Sequence, residues 1–126
     1  MGRCLCGAVT YTVDGPLRDV TNCHCERCRR HTGNFMAATA ADMTDVVISG
    51  EALRWHDATD TVQYGFCGEC GSTMFWRAAD RPESISIAAG TLEPPTGLTT
   101  TSVLFTAIAS DYHRLDDTIR QYDYDR

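Results

Sequence analysis

The sequence predicts an all-β fold of mainly antiparallel sheets, with one or two short helices and zinc as a staple. Two observations predict it. Short β-prone runs recur along the chain between turn signals, and seven cysteines gather into three tight clusters. Many short strands with frequent turns argue for antiparallel pairing.

Taken in order, residues 8–13 alternate as Ala-Val-Thr-Tyr-Thr-Val and stop at Asp14-Gly15-Pro16, a strand followed by a turn. Further strands are expected over 35–40, 46–49, 53–56, 61–64, 74–78, 85–89 and 101–107. A short helix is expected over 26–31, stopped at Gly33, and a second over 116–122 with an acidic pair at its start. No repeat other than the cysteine knuckles, no linker and no low-complexity tract is visible. With 126 residues the chain is expected to be one domain, 1–126.

Composition narrows the function classes. The formal charge is −6, every basic residue is Arg, and Asp outnumbers Glu by 12 to 5. Such a chain repels nucleic acid over most of its surface. The apolar stretches 35–38 and 103–109 fall far short of the roughly 20 residues a membrane-spanning helix needs, so no membrane partner is expected. The N-terminus carries no apolar signal core, and Cys6 stands where myristoylation wants Ser or Thr. The expected address is cytoplasmic, where thiols stay reduced. An odd number of cysteines also defeats a complete disulfide scheme in a monomer. An exposed edge strand would permit a dimer, but nothing in the sequence sets an oligomeric state.

The cysteines form a C-x-C at Cys4 and Cys6, a C-x-C-x-x-C at Cys23, Cys25 and Cys28, and a C-x-x-C at Cys67 and Cys70. Zinc takes four tetrahedral ligands in a closed structural site. The C-x-x-C supplies half of such a site, and the only other two-cysteine cluster supplies the rest. Gly7 and Gly71, just after the knuckles, relieve tight backbone. Cys4, Cys6, Cys67 and Cys70 thus make a closed site whose binding energy feeds folding. Cys23, Cys25 and Cys28 remain as a three-ligand set, the usual form of a catalytic zinc with one free position. The alternatives are a second structural site closed by His24, His31, His56 or His113, or no second metal.

At these residues the sequence resembles the glutathione-dependent formaldehyde-activating enzyme family, which includes centromere-protein-V-like domains. The matching segments are Cys4-Leu5-Cys6-Gly7-Ala8-Val9, Asn22-Cys23-His24-Cys25-Glu26-Arg27-Cys28-Arg29-Arg30 with Gly33, Phe66-Cys67-Gly68-Glu69-Cys70-Gly71-Ser72, and Ala89-Gly90-Thr91-Leu92-Glu93. The resemblance implies a β-tent fold, a structural zinc at Cys4, Cys6, Cys67 and Cys70, and a catalytic zinc at Cys23, Cys25 and Cys28. It also implies a carbon–sulfur lyase that joins glutathione to formaldehyde. Near the C-terminus, where the family often has Trp, this chain has Tyr112, a difference of packing.

Chemically, zinc with three thiolates carries net charge −1. That suits it to holding a fourth sulfur as thiolate better than to polarising a carbonyl. Arg27, Arg29 and Arg30 are candidates to balance that charge and to fork onto the carboxylates of a small thiol; the alternative is a solvated helix face. His24 is expected to point to solvent, with a proton relay as the alternative. Phe35, Trp55, Phe66, Phe75 and Trp76 read as core, or as pocket walls, and Glu69 as exposed. Two function classes follow: an enzyme joining a small thiol to an aldehyde, and a non-catalytic zinc module that binds a protein partner. A thiol switch at the three-cysteine cluster is a third.

Overall fold

The computed structural model describes residues 1–126. Along the chain come β1 (Gly2–Arg3), β2 (Thr10–Val13), β3 (Val20–Cys23), helix α1 (Glu26–Thr32), β4 (Met36–Asp42) and β5 (Val46–Ser49). Then follow β6 (Leu53–Asp57), β7 (Val62–Cys67), β8 (Thr73–Ala78), β9 (Ser84–Ala88), β10 (Thr100–Leu104) and β11 (Arg120–Gln121). No helix is long and apolar enough to cross a membrane.

The fold is mostly β, as expected, with one α-helix. A small sheet runs β1-β2-β5, and an eight-stranded sheet runs β11-β10-β3-β4-β9-β8-β7-β6. Pairing is antiparallel except at β10, which lies parallel to both β3 and β11. The long excursion between β3 and β10 makes that parallel return possible.

Period-two alternation divides the apolar residues between two clusters. Ala41 on β4, Ile85 and Ile87 on β9 and Phe75 on β8 join Val9, Tyr11 and Leu92 in the first, which also holds Cys4 and Cys67. Met36 and Ala38 on β4, with Val62, Tyr64 and Ala78, form the second around Cys25 and Cys28. Each cysteine cluster is therefore rooted in its own apolar core. At the end of β7 the register shifts. Gly65 faces Phe75 and Phe66 faces Thr73, which leaves Met74 as the extra residue of a bulge. The bulge lets Met74 and Phe75 both enter the first cluster, next to where β7 delivers Cys67. Gly65 belongs to the same arrangement: a Cβ there would meet the Trp55 ring at 3.0 Å, a ring already covered by the Arg77 guanidinium at 3.6 Å.

Three expectations need correction. The helix over 116–122 does not form. Asp116 Oδ1 accepts from the Thr118 N–H and hydroxyl in a turn, and Arg120 and Gln121 then pair with Ser102 and Val103. A side chain that bonds its own backbone competes with helix. The strand expected over 101–107 ends at Leu104. Phe105 takes a left-handed conformation (φ 58°), the one non-glycine to do so, and a 3-10 turn follows over Thr106–Ile108. His24 does not point to solvent; it is 1% exposed.

Candidate metal centres

The first centre is built by two knuckles facing each other. In one, the Cys4 N–H donates to Val9 O (3.0 Å) and the Gly7 N–H to Cys4 O (3.3 Å). In the other, the Cys67 N–H donates to Ser72 O (3.0 Å) and the Gly71 N–H to Cys67 O (2.8 Å). Gly7 and Gly71 sit at φ 82° and 81°, where a side chain would be strained. The knuckles bring all four sulfurs within 4.8 Å of one another. Cys4 Sγ lies 3.7 Å from Cys6 Sγ, and Cys6 Sγ lies 3.8 Å from Cys67 Sγ. A tetrahedral ion with arms of about 2.3 Å spaces its ligand atoms about 3.8 Å apart. The separations therefore fit zinc, and none of the seven cysteines is in a disulfide.

Ser72 joins the knuckles. Its hydroxyl accepts the Leu5 N–H at 2.9 Å and lies 3.2 Å from Cys70 Sγ. Hydrogen bonds from Ser72 hold the Cys70 thiol down at about 5, so this sulfur is poised as a thiolate. Ser72 was legible only as the residue that follows a knuckle.

The second centre forms where β3 runs into α1. Cys23 ends the strand, and the His24 N–H extends its ladder to Leu104 O (3.0 Å). Cys25 is the N-cap of α1, its sulfur accepting the Cys28 N–H at 3.4 Å. Cys28 lies one residue short of a full turn further on, and Gly33 closes the helix in the left-handed conformation. The three sulfurs lie within 4.8 Å of one another, and no histidine nitrogen or carboxylate joins them. The Cys23 and Cys28 side chains hold the Cys25 thiol far below its ordinary range, while Cys25 pushes Cys23 up. Cys28 is pushed up by both partners. The set concentrates negative charge on one shared thiolate, which is the chemistry of a cation site.

One tyrosine and two histidine rings lie around this centre. Tyr64 Oη lies 3.1 Å from Cys28 Sγ, and burial, then the charge of Cys28, push the phenol up so that it stays protonated. His31 stacks on Tyr64 at 4.4 Å and is hydrogen-bonded to Thr73 Oγ1 at 3.0 Å. His24 packs between Phe35 (5.1 Å) and His113 (4.8 Å). Burial, then His113, push it down toward the neutral ring.

The three sulfurs of this second centre border a cavity of about 190 Å³. Arg18, Arg27, Arg81 and Arg126 line it with one acid, Asp125, and with apolar walls from Met36, Trp76, Leu104 and Phe105. None of the four guanidiniums lies in a salt bridge; the chain's two ion pairs are Arg3–Glu93 and Arg30–Glu26. Burial, and then the Arg126 guanidinium, work against the charge on Arg18, and Asp125 offsets them only in part, as expected where cations outnumber the acid beside them. Arg29 and Arg30 are not among the lining residues. Arg30 is held by Glu26 on the outer face of α1, so of the three sequence-adjacent arginines only Arg27 reaches the cavity. Arg18, Arg81 and Arg126 were missed because only the fold brings them there. Glu69 is exposed, Phe75 is core, and Phe35, Trp55, Phe66 and Trp76 are half-buried.

A family model described as glutathione-dependent formaldehyde-activating enzyme matches residues 1–107, a span that includes all seven cysteines. The crystal structure of a Rhodobacter sphaeroides protein, a structural-genomics target, is similar at 28% identity and a TM-score of 0.62. The likeness covers 76% of this chain and 90% of that one. No curated protein matches the chain.

Proposed function

This chain belongs to the glutathione-dependent formaldehyde-activating enzyme family, and we propose that it adds a small anionic thiol to an aldehyde at an open zinc site held by Cys23, Cys25 and Cys28. A second, structural zinc is held by Cys4, Cys6, Cys67 and Cys70. One observation carries the reading: the three-membered sulfur cluster borders a cavity of about 190 Å³, and four arginines outside any salt bridge line that cavity. A closed four-sulfur site has no free position for chemistry; a three-sulfur site has one.

Zinc bound to the three sulfurs would supply the acidification that keeps a thiol as thiolate at neutral pH. The remaining work falls to the chain's own side chains. Arg18, Arg27, Arg81 and Arg126 take the carboxylates of the thiol in forked hydrogen bonds, and Asp125 is placed to receive an ammonium. Trp76, Phe105, Leu104 and Met36 keep bulk water from the sulfurs, and holding thiol and aldehyde together lowers the entropy cost of their meeting. In the overall step the thiol sulfur bonds to the carbonyl carbon, the C=O π bond breaks, and the thiol proton ends on oxygen. No oxidant or reductant is required, and the reverse step is a carbon–sulfur lyase reaction. We place the protein in a reducing compartment such as the cytoplasm, where thiols assigned to zinc stay reduced.

Exchange NMR between glutathione, formaldehyde and S-hydroxymethylglutathione tests this. Wild type is expected to speed the exchange and Cys25→Ser to abolish the acceleration. Equal rates with wild type, Cys25→Ser and no protein would favour the partner-binding zinc module instead.

A further inference from the structure

We propose that Tyr64 is a positioning residue of the three-cysteine centre: its phenol donates a hydrogen bond to Cys28 Sγ, fixing that ligand and drawing negative charge off it. The inference rests on the reading of Cys23, Cys25 and Cys28 as a metal site, and it assigns to that site a side chain that is not a ligand.

The geometry has three parts. Tyr64 is 1% exposed, and its Oη has one hydrogen-bond partner, Cys28 Sγ at 3.1 Å. A buried hydroxyl requires a partner, and with Cys28 as a metal-bound thiolate, which can only accept, the phenol is the donor. The ring itself has little freedom. On β7, Tyr64 sits opposite His56 on one side and Trp76 on the other. His31 of α1 stacks on it at 4.4 Å with 20° between the planes, and Thr73 holds His31 in turn. Helix and sheet thus meet at this ring, and the same helix carries Cys25 at its cap and Cys28 in its first turn.

The three sulfurs are consequently unequal. Cys28 receives the phenol and Cys25 receives the Cys28 N–H. Cys23, half-buried at the end of its strand, has only the neighbouring Cys25 backbone for support. Hydrogen bonds to a metal-bound thiolate orient it and reduce the charge it gives the metal. A centre of three thiolates is over-supplied with negative charge for accepting a fourth sulfur. Drawing charge from Cys28 makes that fourth position easier to fill. Loss of such a supporting hydrogen bond typically lowers metal affinity by about 10- to 100-fold.

The test is Tyr64→Phe, which removes only the hydroxyl. Zinc affinities of both centres are measured by competition with a chromophoric chelator, the four-cysteine centre serving as internal reference. Cobalt is then substituted, and the sulfur-to-cobalt charge-transfer band is recorded. The expected result is a 10- to 100-fold weaker three-cysteine centre, an unchanged four-cysteine centre and a shifted charge-transfer band. Equal affinity and an unmoved band in the variant would overturn the proposal. So would parallel weakening of both centres, which would mark Tyr64 as a packing residue. Wild type that binds a single zinc would overturn both this inference and the reading beneath it. Wild type that binds two, with an indifferent Tyr64→Phe, would remove this inference alone.

Discussion

Replacing Ser72 by Ala should loosen the four-cysteine centre without touching any of its ligands. Ser72 makes two contacts of different worth. Its bond from the Leu5 N–H lies at an exposed residue, so that amide finds water once the hydroxyl is gone and the cost is small. Its contact with Cys70 Sγ at 3.2 Å supports a sulfur poised as thiolate, and water replaces it less well in a knuckle of fixed geometry. Only the second contact should therefore count, and losing one such partner typically lowers metal affinity by about 10- to 100-fold. The comparison is best made in a Cys25→Ser background, which leaves the four-cysteine centre alone to be titrated. Chelator competition should then show Cys25→Ser/Ser72→Ala holding zinc at least about tenfold more weakly than Cys25→Ser. Identical affinities would refute the reasoning, because they would mean that the knuckles hold the metal without the hydroxyl that joins them.

Three other outcomes follow from the same structure. Ile87 is fully buried in the larger core, and Ile87→Ala should cost about 3–4 kcal/mol in transfer and cavity terms. For a chain of 126 residues that is a fall in Tm of roughly 12–16 °C by thermal melt, taking about 4 °C per kcal/mol. His31 is pushed below its ordinary 6.5 by burial and then by His56, so the unfolded chain binds its proton first as the pH drops. The stability linked to His31 is complete above about pH 6.5 and lost as the pH falls through the lower folded value. His31→Phe, which can keep the stack on Tyr64, should flatten the decline in denaturation midpoint between about pH 6.5 and 5; an unchanged slope would place the decline elsewhere. Arg27→Gln/Arg81→Gln should raise KM for glutathione by about tenfold or more. KM for the uncharged thiol 2-mercaptoethanol should stay the same, and equal effects on both thiols would contradict the carboxylate role.

Local chemistry was legible in the sequence where the signal was local. The strand at Val46–Ser49 has the expected bounds, and the helix after Cys25 ends at Gly33 as its C-cap predicts. Residues 8 and 9 read as strand by alternation, but they belong to the Cys4 knuckle, where the Val9 N–H bonds Cys4 Sγ at 3.3 Å. Alternation cannot see such a cross-bond. Gly2–Arg3 was missed because two residues are too few to show alternation, and Val20–Cys23 because it is short and takes its strand state in part from Thr100–Leu104, a partner distant in sequence. The burial of His24 could not be read between two cysteines, since Phe35 and His113 are what cover it. The grouping of the cysteines came from ligand counting, because metal geometry constrains residue type and number more tightly than packing does. The arginine cavity has no such rule: Arg18, Arg27, Arg81 and Arg126 share no spacing, only a place in the fold.

Zinc per chain, measured by elemental analysis on wild type and on Cys25→Ser purified without added metal, tests the central claim most directly. Serine is itself a good N-cap, so α1 should survive the change and circular dichroism should be unaltered. Close to two zincs in wild type and one in the variant is the predicted result. One zinc in both proteins, unrestored by added zinc, would contradict a separable open metal site at Cys23, Cys25 and Cys28.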